Sequence, residues 1–95
     1  MLRVVSGFAK GIFLEDVNKE TTRPITSRIK TSLFDKIQFF IADEKVADLY
    51  SGTGSMGIEA LSRGASFCDF VDLDSDCVDT IKKNLKKTKL ENKGN

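Results

Sequence analysis

The sequence predicts an α/β fold in which a partial, doubly wound parallel sheet is preceded by a β-hairpin. Two observations predict it. An apolar run at 46–50 leads directly into a glycine-rich loop and then into a helical pattern. A second apolar run, at 66–71, is followed by an acidic residue and another helical pattern. A strand–helix–strand–helix order is typical of parallel sheets whose crossover connections are helices.

The first fourteen residues predict a short β-hairpin. Residues 2–5 have strand character, a Ser-Gly pair and a Lys-Gly pair bracket a turn, and residues 12–14 form a second apolar piece. Because two strands alone are only marginally stable in water, we expect the hairpin to dock on the rest of the domain. Its cations, Arg3 and Lys10, are candidate phosphate contacts, although isolated surface cations are also common.

A helix is predicted over about residues 27–41. Apolar residues at positions 29, 33, 34, 37, 40 and 41 form one stripe at helical spacing, with Arg28 and Lys30 off the stripe. The preceding segment holds the only proline, Pro24, which fixes its own backbone and biases Arg23 towards extended geometry. We expect the stripe to pack on the sheet.

The glycine loop, residues 52–57 (Gly-Thr-Gly-Ser-Met-Gly), connects the first strand to a helical pattern that begins near residue 58. Gly52 can turn the chain with a positive φ. Gly54 lets a ligand approach the backbone, and Gly57 lets the helix pack closely on the strand. The free N–H groups at the helix start favour a polar or anionic ligand group. Gly64 is the candidate C-cap of this helix.

Two acids near the glycine loop indicate a nucleoside cofactor. Asp48 ends the first strand, and Asp72 lies 20 residues after Gly52, where an acid can accept hydrogen bonds from both ribose hydroxyls. A carboxylate beside the loop suits a cofactor with positive charge and no phosphate. S-adenosylmethionine (SAM), with its sulfonium and ammonium groups, is such a cofactor. The alternatives are a nicotinamide or flavin cofactor, and a structural strand–turn–helix without a ligand.

The last elements predicted are a strand at about 66–72 and a helix at about 75–90, capped by Asp74 or Ser75. The lysines of this helix lie near its C-terminal end, where they favour the helix dipole. A nucleic-acid contact is the alternative role for these lysines. We expect the tail, residues 91–95, to fray.

Composition restricts the class of protein. Ninety-five residues allow a single small domain, residues 1–95, with 1–14 as the hairpin extension. There is no apolar run of about 20 residues and no signal-peptide pattern, so we expect a cytoplasmic protein without a membrane partner. The sequence has no histidine, which argues against histidine bases and common zinc sites, and we expect no metal. Cys68 and Cys77 are expected to be small, partly buried side chains rather than a redox pair.

Charges are segregated along the chain, although the formal net charge is only +1. Residues 1–30 hold six Lys or Arg against three acids, so a basic N-terminal arm could face phosphates. Residues 65–81 hold five Asp and no cation, whereas residues 82–95 hold six Lys and one Glu. An acidic middle would repel phosphates unless a cationic cofactor lay between them.

Four segments, taken together, resemble the bacterial small-subunit ribosomal RNA guanine-N2 methyltransferases, a SAM-dependent family. The segments are residues 3–11, 22–34, 48–65 and 70–85. The first looks like the family's opening hairpin, and the second, with Thr-Arg-Pro-Ile-Thr, looks like its TRPT segment and following helix. The third is similar to its cofactor loop nearly throughout, and the fourth to its second strand and helix. The glycine loop alone marks the broad methyltransferase fold, and the four segments together mark the family.

The resemblance implies a Rossmann-like sheet of the SAM-methyltransferase type and methyl transfer from SAM to the exocyclic N2 of a guanine in small-subunit rRNA. Asp72 would bind the ribose hydroxyls, where the family usually has Glu, and Leu73 would cover one face of the adenine. The implied cofactor-binding residues are Asp48, Tyr50, Ser51, Gly52, Thr53, Gly54, Gly57, Asp72 and Leu73. The implied RNA-binding residues are Arg3, Lys10, Arg23 and Arg28.

The family's catalytic motif, Asn or Asp followed by two prolines and an aromatic residue, has no counterpart in these 95 residues. We therefore predict no catalytic residue here and interpret residues 15–95 as the N-terminal half of a SAM-binding domain. The alternative functions are a non-catalytic truncated fragment or RNA-binding remnant and, less favoured, a nicotinamide-binding module. Open sheet edges favour self-association or a partner that carries the catalytic C-terminal half.

Overall fold

The computed structural model describes residues 3–15, 27–49 and 52–94, and in them helices alternate with parallel strands. In chain order the elements are α1 (Ser27–Ile41), β1 (Lys45–Leu49), α2 (Ser55–Ser62), β2 (Phe67–Val71), α3 (Ser75–Lys87) and a 3-10 turn (Glu91–Lys93). This order confirms the predicted α/β class.

The sheet is parallel, as predicted. β1 and β2 pair along all five residues of each strand, and α2 forms the crossover between them. Gly94 adds a further parallel bridge to Cys68. Because Cys68 already pairs with Val46 of β1, this bridge lies on the opposite edge of β2. β2 is therefore the central segment of the described sheet.

The predicted bounds of α1 are confirmed, and those of the strands differ by one residue at their ends. β1 begins at Lys45 rather than at residue 46, and the predicted last residue, Tyr50, lies outside the described residues. Helix α2 begins at Ser55, three residues earlier than the apolar pattern indicated. Gly54 occupies its N-cap position, so the helix starts inside the glycine loop.

The prediction that the C-terminal tail frays is wrong for residues 91–94, the part of the tail that the structure describes. α3 ends at Lys87 rather than near residue 90, because Lys89 takes a left-handed φ of +61° and reverses the chain. The Leu90 N–H then donates to the Leu85 carbonyl at 2.9 Å, which is the Schellman arrangement without its usual glycine. This turn buries Leu90 and directs the following residues to the sheet, where Gly94 bridges to β2.

The N-terminal hairpin, residues 3–15, docks on the helices as expected. Its two arms meet in one antiparallel bridge between Arg3 and Phe13 rather than in full strands. The backbone N–H of Phe8 donates to the Ser62 carbonyl of α2 at 2.8 Å. The hairpin residues that enter the core are Val4, Ala9 and Leu14.

The core lies between the helices and one face of the sheet. Its other members include Phe34 of α1, Ile58 and Leu61 of α2, Cys68 of β2 and Ile81 of α3. Both cysteines are buried, and neither is in a disulfide. Burial, together with the charges of Asp48 and Asp69, raises the pKa of Cys68 to about 12, so this thiol stays protonated and is a poor nucleophile.

The opposite face of the sheet is exposed within the described part of the chain. Ala47, Asp69 and Val71 point to this face. The strand edge of β1 that faces away from β2 pairs with none of the described residues. Association through this edge stays a prediction. Among the described residues there is no helix with the length and apolarity to cross a bilayer.

Candidate functional site

The glycine loop lies where β1 ends and α2 begins. Gly52 and Gly54 have φ values of +59° and +82°, in the left-handed region that favours glycine. The Ile58 N–H donates to the Gly54 carbonyl at 2.9 Å and makes the first helical turn of α2. The loop therefore presents the N-terminal end of a helix at the carboxyl edge of the sheet, which is where ligands bind in open α/β folds.

Gly57 shows why this position excludes a larger side chain. A Cβ atom there would overlap the Phe70 ring and would lie 2.7 Å from the Cys68 sulfur. Both residues belong to β2, so the first turn of α2 can approach the sheet only through a glycine. The close packing expected for the third glycine of the loop is present.

Asp48 holds the start of α2. Its Oδ2 accepts a hydrogen bond of 3.0 Å from the backbone N–H of Gly57. Burial raises the pKa of Asp48, and the charge of Asp72 raises it further, whereas the Gly57 N–H acts in the opposite direction. An ionised carboxylate at this place is therefore costly for the free protein, and a cationic ligand would relieve that cost.

Asp48→Asn tests this cost. The pKa of Asp48 is higher in the folded protein than in the unfolded chain. The protonated carboxyl therefore contributes stability below about pH 4, and this contribution is lost as the pH rises through the folded-state pKa. The variant lacks this loss, and its amide oxygen can still accept from Gly57. Denaturant unfolding should therefore show that the variant gains stability relative to the parent between about pH 4 and pH 7. A loss of stability relative to the parent over the same pH range would contradict the raised pKa of Asp48.

Asp72 follows β2 and faces the glycine loop. Its Oδ2 accepts from the Gly52 N–H and its Oδ1 from the Asp74 N–H, each at 2.9 Å. A carboxylate has about four acceptor positions, so these two bonds leave capacity for ligand hydroxyls. Leu73, the next residue, is 95% exposed and offers an apolar surface beside this carboxylate.

Buried side chains from α1 and α3 fix the remaining part of the loop. Lys30 Nζ donates to Ser55 Oγ at 3.0 Å, and Asn84 Nδ2 donates to the Thr53 carbonyl at 2.8 Å. Thr53 itself is buried. Together with Asp48 and Asp72, four side chains from separate elements bond the six-residue loop.

A buried charged cluster attaches the N-terminal hairpin to α2. Glu59 of α2 accepts from the backbone N–H groups of Val5 at 2.8 Å and Ser6 at 3.0 Å. The same carboxylate lies 3.3 Å from Lys30 Nζ and accepts from Arg63 Nε at 2.8 Å. Burial lowers the pKa of Lys30, and Glu59 opposes this shift. The hairpin backbone is therefore bound by a carboxylate that is itself balanced by two cations.

The structure places the predicted RNA contacts only in part. Arg3 and Lys10 are both exposed, on the hairpin. Arg28 lies in the first turn of α1. Arg23 lies outside the described residues, as do Tyr50 and Ser51 of the predicted cofactor set.

Sequence reasoning missed the buried polar residues that support the site. Lys30, 1% exposed, was expected only to lie off the apolar stripe of its helix, and Glu59 and Asn84 are 0% exposed. The four-residue spacing between Glu59 and Arg63, the C-cap residue of α2, was the available signal for their ion pair. No local pattern indicates that Asn84 would meet residues 31 and 69 positions away.

Two curated proteins are similar to most of the chain. The Bacillus subtilis protein named "Putative rRNA methyltransferase YlbH" is 44% identical over 89 residues, which are 94% of this chain and 48% of that protein. The Haemophilus influenzae protein named "Ribosomal RNA small subunit methyltransferase D" is 36% identical over 88 residues, which are 93% of this chain and 46% of that protein. The chain thus spans about half the length of the curated relatives it matches.

Solved structures share the fold. The Escherichia coli protein described as "Putative methyltransferase yhhF" matches with a TM-score of 0.86 and 29% identity, over 99% of this chain and 50% of that one. The parallel sheet, the glycine loop and this likeness define the class: an α/β fold of the class I methyltransferase type. The chain belongs to the family described as "Conserved hypothetical protein 95", which matches residues 2–95. The resemblance to rRNA methyltransferases seen in the sequence is confirmed, as is the coverage of their N-terminal half.

Proposed function

We propose that this chain is the SAM-binding half of an rRNA methyltransferase that acts on the exocyclic N2 of a guanine in small-subunit rRNA. One observation carries the cofactor assignment. Asp48 and Asp72, at the carboxyl ends of two adjacent parallel strands, both bond the backbone of one glycine loop. Two carboxylates at the loop edge suit a ligand with cationic groups and a ribose diol better than a pyrophosphate.

The residues around the glycine loop suit the separate parts of SAM. SAM, when bound, supplies a methyl group on a sulfonium. Asp48 offers negative charge to the methionine portion, and Gly52 to Gly54 allow that portion to approach the backbone. Asp72 has acceptor positions for the ribose hydroxyls, and Leu73 offers an apolar surface to the adenine. The group that orients the guanine amine would come from outside these 95 residues.

The hairpin supports RNA as the partner. It presents the cations Arg3 and Lys10 beside two exposed rings, those of Phe8 and Phe13. Cations neutralise phosphates, and exposed aromatic rings can stack on unpaired bases. The relatives are named as rRNA methyltransferases, which is consistent with this partner and with action on small-subunit rRNA in the cytoplasm.

Asp72→Ala tests the assignment of ribose recognition. Loss of hydrogen bonds to a charged acceptor costs about 1.5–3 kcal/mol, so the SAM dissociation constant should rise about tenfold to a hundredfold. Asp69→Ala is the matched control, since Asp69 is an exposed acid on β2, the strand that precedes Asp72. Both variants would be titrated with SAM by calorimetry. Equal SAM affinity in Asp72→Ala and the parent would refute the assignment.

A further inference from the structure

Two buried side chains each bond both the N-terminal hairpin and the glycine loop. Lys30 of α1 donates to the Arg3 carbonyl at 2.8 Å, in addition to its bond with Ser55 Oγ. Asn84 of α3 is bonded to both backbone groups of Glu15. Its Oδ1 accepts from the Glu15 N–H at 2.6 Å, and its Nδ2 donates to the Glu15 carbonyl at 3.0 Å as well as to Thr53.

These bonds connect opposite ends of the hairpin to neighbouring residues of the loop. Arg3 opens the described hairpin and is linked through Lys30 to Ser55, whereas Glu15 closes it and is linked through Asn84 to Thr53. Each connection passes through a single side chain. A displacement of either hairpin end would therefore pull on a side chain that also bonds the loop.

Water is a poor substitute for these bonds. Lys30 is 1% exposed and Asn84 is 0% exposed, so breaking either connection takes a hydrogen-bond partner from buried polar groups. Such groups cost about 1–3 kcal/mol each. Hydrogen bonds are also electrostatically stronger in a low-dielectric interior than in water. The hairpin and the loop are thus held in one relative position.

We propose that Lys30 and Asn84 are positioning residues that couple the hairpin to the glycine loop, so that RNA on the hairpin and SAM on the loop raise each other's affinity. The inference rests on the proposed function. Ordering the loop for one ligand reduces the conformational entropy that the other ligand must overcome. Linkage requires the effect to be reciprocal and equal in both directions.

The test compares SAM affinity with and without RNA. Calorimetric titrations with SAM would be made alone and with purified bacterial small-subunit rRNA, on the parent, Asn84→Ala and Lys30→Met. Thr88→Val is the control, because Thr88 is the buried C-cap residue of α3 and its hydroxyl donates to the Asn84 and Leu85 carbonyls of that helix. We expect RNA to tighten SAM binding about fivefold or more in the parent and control. In Asn84→Ala and Lys30→Met, RNA should tighten SAM binding by less than about twofold.

A ligand-free readout separates this inference from the proposed function. Hydrogen exchange should be faster in Asn84→Ala than in Thr88→Val for both residues 52–57 and residues 3–15. Loop exchange equal to the control, or full RNA tightening of SAM in the variants, would overturn the inference. A parent that binds SAM without any response to RNA would also overturn the coupling. A parent that binds no SAM would refute the proposed function, and the exchange result would then decide the positioning role alone.

Discussion

Gly7→Ala is expected to destabilise the protein by about 3–4 kcal/mol. A Cβ atom at Gly7 would overlap the backbone carbonyl of Ser62, and this carbonyl accepts the Phe8 N–H. Because the obstacle is backbone, relief requires the hairpin to move away from α2, with an overpacking cost of about 2–3 kcal/mol. The φ of +89° adds about 1 kcal/mol for a residue with a side chain.

Gly11→Ala is the matched control for this prediction. Gly11 has nearly the same φ, +86°, in the same hairpin, but a Cβ atom there would meet nothing within 4 Å. Gly11→Ala should cost only the strain of placing a side chain on left-handed backbone, about 1 kcal/mol. Urea unfolding of the parent and both variants gives the comparison. Similar losses in Gly7→Ala and Gly11→Ala would show that contact with Ser62 does not hold the hairpin in place.

Glu59→Ala is expected to cost about 3–5 kcal/mol, as removal of one partner from a buried ion pair does. The substitution removes the carboxylate that neutralises buried Lys30, takes one of two acidic partners from Arg63, and removes the acceptor of two hairpin N–H groups. A loss of this size is comparable to the whole stability of a small domain. We therefore expect the variant to be largely unfolded, as read from its circular dichroism at 25 °C.

Two further variants make the result for Glu59 specific. Glu59→Gln keeps a carbonyl acceptor but loses the charge, and it should lie between the parent and Glu59→Ala in unfolding free energy. Glu44→Ala removes an exposed acid in the turn before β1 and should change stability by no more than about 0.5 kcal/mol. A folded Glu59→Ala with near-parental stability would contradict the role of the cluster.

The elements that sequence reasoning predicted correctly have local causes. The apolar stripe of α1 repeats at helical spacing, and Gly64 takes the left-handed φ that ends α2 in a Schellman turn. The glycine loop lies between a strand and a helix, so its motif is enough to predict where the site lies. The bounds of β1 and β2 shifted by one residue, because pairing rather than side-chain pattern fixes where a strand ends.

The features that sequence reasoning missed depend on tertiary contacts. Lys89 ends α3 in a conformation usually left to glycine, and burial of Leu90 stabilises it. Lys30 and Glu59 are residue types that are almost never fully buried unless paired, and most of their partners lie on other elements. The sequence shows Asn84 only as a polar residue on a helix, because its partners in the hairpin and the loop meet it only in the folded structure.

The most direct test of the central claim is a calorimetric titration of the purified 95-residue chain with SAM, and with NAD as the control ligand. We expect saturable binding of SAM and no response to NAD, because Asp48 and Asp72 favour a cationic ligand over a pyrophosphate. Binding of NAD in place of SAM would contradict the cofactor assignment. Silence with both ligands would contradict the claim that this chain alone forms the SAM site.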